Sequence, residues 1–244
     1  MRVAKTEAVV LRSFRFGEAD RVLHLLTPSE GRVGAIAKGV RRTRARLAGR
    51  LEPLSHVEVM VRRGSGELVQ VTNADLIRSF DEVRMDPGRL AVALIGVEAV
   101  WRLHPQQEAN ERLFDGLVRF LAVVADEPAG TPATAAASNP LALGFCLKLL
   151  GLAGWAPRLD RCAACDGPGP LALFAAAAGG MVCEGCAAGF AVDTATVATL
   201  RTLFGEPLGV SVHPSPQTLR LVRRVIIEIV REHAATRIET LTGG

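Results

Sequence analysis

The chain has 244 residues, is 49% hydrophobic and 22% charged, and carries a net charge of +4 at pH 7. That length allows two domains, and that apolar share excludes a chain disordered throughout. No apolar run reaches the roughly 18–20 residues of a bilayer span, and the alternating N-terminus does not read as a secretion signal. A cytoplasmic protein with no membrane partner is expected.

The charge is unevenly divided. Residues 1–80 hold 15 Lys/Arg against 8 Asp/Glu (+7), whereas residues 81–244 hold 14 against 17 (−3). Such a split points to a polyanion partner for the first segment, the plain alternative being a solvated basic stretch.

The first eighty residues carry strand signals. "EAVVLRSFRF" is β-branched with partial alternation, and "RVLHLLT" follows the turn-like "GEAD". "GRVGAIAKG" follows "TPSEG", and "SHVEVMVRR" and "ELVQVTNADL" alternate on either side of "GSG". Five short strands with glycine-rich turns predict a small closed barrel or sandwich. Phe14 and Phe16, two apart and so on one strand face, are expected in its core, the alternative being an exposed aromatic pair.

Between the third and fourth strands lies "AKGVRRTRARLAGR", residues 37–50, with Lys38, Arg41, Arg42, Arg44, Arg46 and Arg50 and no acid. Helical spacing would place Val40, Leu47, Leu51 and Leu54 on one face and Arg42, Arg46 and Arg50 in a column opposite. Pro53 would end this helix, and Gly49 weakens it by about 1 kcal/mol, so a partial helix is expected. Like charges at this spacing repel by about 0.2–0.5 kcal/mol per pair. A polyanion replacing the missing acids accounts for the pattern, and the guanidinium fork suits phosphate. The segment has only Phe14, Phe16 and Phe80 as aromatics, and the chain has no Tyr. Binding through phosphates, without sequence readout, is therefore expected.

From residue 85 the period becomes helical. "PGRLAVALIGVEAVWRL" offers a face of Leu90, Ala91, Leu94, Ile95, Val97 and Trp101, with Pro87 at the first turn. "NERLFDGLVRFLAVVA" repeats the pattern with Leu113, Leu117, Phe120, Leu121 and Val124. "DEPAGTPATAAASNP", residues 126–140, lacks periodicity and reads as a mobile loop. "PLALGFCLKLLGLAGW" reads as a buried helix ended by Gly151 and Gly154, with Cys146 a small buried hydrophobe. A helix fits "TATVATLRTLF", and the last begins at Ser215 as N-cap with Pro216 behind it. Its buried face is Leu219, Val222, Val225, Ile226, Ile229 and Val230.

Four of the five cysteines form two C-x-x-C pairs, Cys162/Cys165 and Cys183/Cys186, seventeen residues apart. This is metal-knuckle spacing, with two thiolates from each turn around one structural Zn²⁺ and Gly185 easing the second turn. Disulfides do not suit a cytosolic chain, and the neighbourhood is unlike a thioredoxin-type redox motif. Four thiolates leave no open coordination position, which disfavours catalytic zinc.

No GxxxxGK[ST], H-E-x-x-H or G-x-S-x-G occurs, and the five histidines pair with no local carboxylate motif. Asp81, Glu82 and Asp86 are too loose for a two-metal nuclease. A protein without enzymatic activity is expected.

The G-E-x-D-R of residues 17–21, the T-x-x-x-G turn of 27–31 and the A-K-G-x-R-R of 37–42 resemble the RecO family of bacterial DNA repair proteins. The resemblance extends over the whole chain. It implies an N-terminal OB-fold β-barrel (1–80), then an α-helical domain (81–244) with an inserted four-cysteine zinc module (161–187). It also implies a recombination mediator that binds ssDNA and dsDNA, anneals complementary strands and helps RecA load onto strands covered by single-strand-binding protein (SSB). Its partners would be RecR, RecF in the same pathway, and the acidic C-terminal tail of SSB. Lys38 to Arg50 would belong to the DNA surface, extended by Arg15, Arg21, Arg62 and Arg63. Arg220, Arg223 and Arg224 are candidates for the acidic tail by charge alone. Two other readings stand beside this one: an interaction scaffold with incidental DNA binding, and a zinc-dependent enzyme acting on nucleic acid.

Overall fold

The computed structural model describes residues 3–40, 47, 49–64, 66–104, 107–186 and 189–242. Two compact units divide it, one formed by Met1–Arg84 with Pro105–Ala125, the other by Met85–His104 with Asp126–Gly244.

In the first unit, β1 (Val3–Phe16), β2 (Asp20–Thr27), β3 (Gly31–Ala37), β4 (His56–Arg62) and β5 (Val69–Arg78) close into a barrel of order β1-β2-β3-β5-β4. β1 is 14 residues long and pairs with β4 through Val3–Val9 and with β2 through Val9–Phe16. A register shift between Val10 and Arg12 marks the bulge at which it bends from one neighbour to the other. The β3–β5 seam is parallel, and every other pairing is antiparallel. This five-stranded barrel is the expected OB-fold. Strand alternation fills it with Ala8, Val10, Leu23, Leu25, Val33, Ala35, Val57, Val59, Val61 and Val71.

The T-x-x-x-G turn has a steric reason. Thr27 Oγ1 accepts from Glu30 N and donates to Gly31 O, each at 3.2 Å, and Gly31 has φ +64. A Cβ on Gly31 would stand 2.1 Å from Glu108 O, so only glycine fits.

Of the basic stretch, Arg41, Arg42, Arg44 and Arg46 lie outside the described residues. The rest corrects the helix expectation, because Leu47 and Gly49–Leu54 form turns and bends and Leu54 has φ +74. Leu54 N donates to Val10 O (2.8 Å) and Val10 N to Ser55 O (3.0 Å), so the segment is tied to the β1 bulge, and its own bonds, Arg50 N to Leu47 O and Ser55 N to Glu52 O, are turn bonds. The expected apolar anchors nonetheless hold: Val40, Leu51 and Leu54 are buried and Leu47 packs on the core.

The short α1 (Asp81–Arg84) ends the barrel sequence. The helices are α2 (Pro87–Leu103), α3 (Glu111–Asp126), α4 (Pro140–Leu152), α5 (Thr194–Gly205), α6 (Pro216–His233) and α7 (Glu239–Thr242). Nearly all of α3 falls in the barrel's unit, where its Phe114 ring meets His56 at 5.6 Å. Its apolar face is the expected one. On α2 burial runs round the helix, so Leu94 is exposed while Ala93, Gly96 and Ala99 are buried. α6 starts at the expected cap, Ser215 Oγ accepting from Thr218 N at 3.1 Å. Among the described residues no helix is long and apolar enough to cross a membrane.

Residues 126–140 are not structureless. Ala133–Ser138 forms a 3₁₀ turn, Asp86 Oδ2 accepts from Gly130 N (2.8 Å), and Arg89 Nε donates to Glu127 O (3.0 Å). Asp86 caps α2 with its other oxygen, which explains why this segment follows the helix start so closely.

Candidate nucleic-acid face and four-cysteine centre

The β1–β2–β3 surface ends where Arg15 stands opposite Arg21 and Arg21 opposite Ala37, with exposed Lys38 next in sequence. Asp20 Oδ1 accepts from Gly39 N at 2.8 Å and ties the exit of β3 to the start of β2. The fold thus brings Arg15, Arg21 and Lys38 together from 24 residues of chain.

The other expected cations are placed differently. Arg21 donates to Glu52 Oε1 (2.9 Å) and Arg50 to Ala74 O (2.6 Å) and Asp75 Oδ1 (3.0 Å). Arg62 donates to Gln70, and Arg63 pairs with Glu30 beside the β2–β3 hairpin, at the opposite end of β3 from Lys38. An exposed ion pair such as Arg63–Glu30 is worth about 0–1 kcal/mol and positions a guanidinium without withholding it from a stronger anion, whereas Arg50, which also donates to a backbone carbonyl, is engaged by the barrel.

Sequence reasoning missed the other face of these strands, which bears Arg12, Phe14 and Phe16. Phe14 is 49% and Phe16 56% exposed, which corrects their expected core placement. The bulge after Val10 reverses which alternate positions of β1 face the core. Phe14 meets the His24 ring edge-on at 5.8 Å, and Arg12 lies opposite His24 in the ladder. Burial, then the charges of Arg12 and Arg32, hold His24 below the usual imidazole pKa, and burial with Arg12 lowers Arg32 as well. Arg12 and Arg32 therefore add positive charge. Only the cross-strand register, which the sequence does not display, reveals them.

In the second unit the cysteine segment forms β6 (Leu171–Ala175), β7 (Gly180–Cys183) and β8 (Phe190–Ala191), in order β7-β6-β8. Cys183 ends β7, and Cys162 and Cys165 lie on a turn bound to it through Ala163 N→Met181 O (2.8 Å). Within the module Cys162, Ala175 and Val182 form one small buried cluster, and Phe174 and Met181 are buried as well, so its apolar core is small.

The four Sγ atoms lie within 4.8 Å of one another. A tetrahedral zinc with Zn–S near 2.3 Å needs sulfurs about 3.8 Å apart, so the set fits such an ion. N–H groups of Cys183, Cys165 and Ala164 pull the Cys162 thiol down to about 6. Cys186, facing Cys183, Cys165 and Cys162, is pushed up to about 12. Four thiols this close ionise together only around a cation. A zinc ion held by all four would fix the two turns and have no open position for water. Gly185 is outside the left-handed region and a Cβ there would meet nothing, so the strain relief expected of it is not needed. Cys146 is separate: burial in α4 pushes it up to about 12.

Of the three α6 arginines, Arg220 is exposed and Arg223 half-buried, whereas Arg224 stacks over Phe190 of β8. At i, i+3 and i+4 the three share one side of α6.

Residues 1–80 match the family model described as "Recombination protein O N terminal", and residues 84–241 that described as "Recombination protein O C terminal". The chain is 40% identical over 215 residues to the DNA repair protein RecO of Rubrobacter xylanophilus, covering 85% of this chain and 83% of the relative. It is 35% identical over 246 residues to the DNA repair protein RecO of Anaeromyxobacter dehalogenans, covering 96% and 93%.

Proposed function

Because the chain belongs to the RecO family of DNA repair and recombination proteins, we propose that it binds ssDNA and dsDNA and anneals complementary strands. In this reading it also assists RecA loading onto SSB-coated ssDNA together with RecR, in the cytoplasm and without catalytic turnover. The observation that carries the reading is the OB barrel with Arg15, Arg21 and Lys38 at one end of its β1–β2–β3 surface. Lys38 also opens the segment that holds Arg41, Arg42, Arg44, Arg46 and Arg50.

Annealing fits this arrangement physically. Two strands repel through their phosphates, and a dense array of cations lowers that repulsion while leaving base edges free to pair. The helical unit, with its zinc module, serves as the protein-contact part for RecR and SSB.

The test is annealing of complementary oligonucleotides, bare and SSB-coated, by the wild type and by R41E/R42E/R44E. The variant should lose annealing on both templates while its circular dichroism is unchanged. Equal annealing by the two proteins would overturn the assignment.

A further inference from the structure

Phe14 and Phe16 are unusual within this chain. Of its nine Phe and two Trp, all within the described residues, only these two are exposed. They lie at i and i+2 of β1, so both rings project from one face about 7 Å apart. Two adjacent exposed rings are a patch, not a scatter of single residues. The patch lies on the outer face of β1–β2, beside the strand face with which OB-folds take up oligonucleotides.

Charge decides what covers it. Arg12 lies two residues before Phe14 on the same face of β1, Arg15 projects from the opposite face, and Lys38 follows β3 at the end where Phe16 stands. Opposite Phe16, the carboxylate of Asp20 already accepts from Gly39 N, so it is engaged in holding the loop. His24 packs against Phe14 in a T-shaped pair, which holds the ring while it stays 49% exposed. Apolar rings between cations match unpaired bases between phosphates. A duplex hides its base faces, so the match is to a single strand.

We propose that Phe14 and Phe16 form a base-stacking platform that distinguishes single-stranded from duplex DNA on this barrel. The proposal rests on the DNA-binding reading above and adds a non-electrostatic mode to it. Phosphate contacts hold either form of DNA, and the rings add affinity for the form whose bases are open.

The test is fluorescence anisotropy of the full chain, wild type and F14A/F16A, with an oligothymidine and with a duplex across a salt series. Stacking of one base per ring predicts that the variant weakens oligothymidine binding by about 20-fold or more. Duplex affinity should stay within about twofold, and the slope of log K against log salt should not change, since no phosphate contact is lost. The wild type should show the same weakening on an abasic strand of equal length, which needs no variant at all. Unchanged oligothymidine affinity in F14A/F16A, or equal losses on both DNA forms, would overturn the platform and leave DNA binding standing. A wild type that binds neither form would overturn both.

Discussion

The guanidinium carbon of Arg224 sits 4.0 Å from the centroid of the Phe190 ring and joins α6 to β8 of the cysteine module. The 3₁₀ turn Ala176–Ala178 packs on the same helix, so α6 meets the module at two places. A partly exposed cation–π pair is worth about 0.5–1 kcal/mol. R224A should lower unfolding stability by that amount in urea titration, and R224K, lacking the flat guanidinium, should recover only part of it. Full stability in R224A would mean that the stack is incidental.

The four thiols lie where one metal ion would staple a module whose strands are only five, four and two residues long. The full chain should therefore carry one zinc ion, and C183S should carry none. Loss of several kcal/mol from a chain of this size lowers Tm by more than about 5 °C. Metal analysis with calorimetry checks this. A metal-free wild type with the same Tm as the loaded one would show that the module stands unaided.

How much of this was legible in the sequence depends on the range of each interaction. Period-two alternation in "SHVEVMVRR" and the Ser215–Pro216 start of α6 are local, and both elements lie where their residues place them. The paired C-x-x-C spacing likewise found Cys162, Cys165, Cys183 and Cys186, which the fold brings together. Phe14 and Phe16 were misplaced because a bulge adds one residue to β1 and reverses its alternation, and no composition signals it. The partner of Arg50 is Asp75, 25 residues away across the barrel, so the supposed column of free cations is not what Arg50 joins. Of the helix expected over Val40–Leu54, the described end, Gly49–Leu54, is non-helical for a related reason: its leucines are buried, but Leu54 N pairs with Val10 O in place of an intrahelical carbonyl.

Glu98 is a buried acid whose partners come from the far end of the chain. It accepts from Glu239 N (2.9 Å), Thr240 N (2.9 Å) and Thr240 Oγ1 (2.7 Å), and so fastens α7 to α2. Burial opposes its ionisation, but the bonds from Thr240 and Glu239 with the Arg102 charge outweigh it and leave its pKa below the usual range. The sign follows: this stabilisation is present at neutral pH, above the unfolded-state pKa, and is lost as pH falls through the lowered folded value. E98Q should cost about 1–3 kcal/mol at pH 7, and the gap to wild type should narrow on acidification below about pH 4.5. A gap constant with pH would show that the charge contributes nothing.

Salt dependence separates the cations that hold phosphate from those that hold the barrel. If about five or six phosphates are contacted, log K for single strands should fall with log salt at a slope near −4. Arg50 already donates to Ala74 O and Asp75, so R50A should leave that slope unchanged while loosening the segment that Leu51 and Leu54 anchor. R41A/R42A/R44A removes three guanidiniums with no acid near them in sequence, and should reduce the slope by about 2. Anisotropy titrations at four or five salt concentrations measure both. A slope lowered by R50A but not by the triple variant would move the phosphate contacts from the segment's middle to its end.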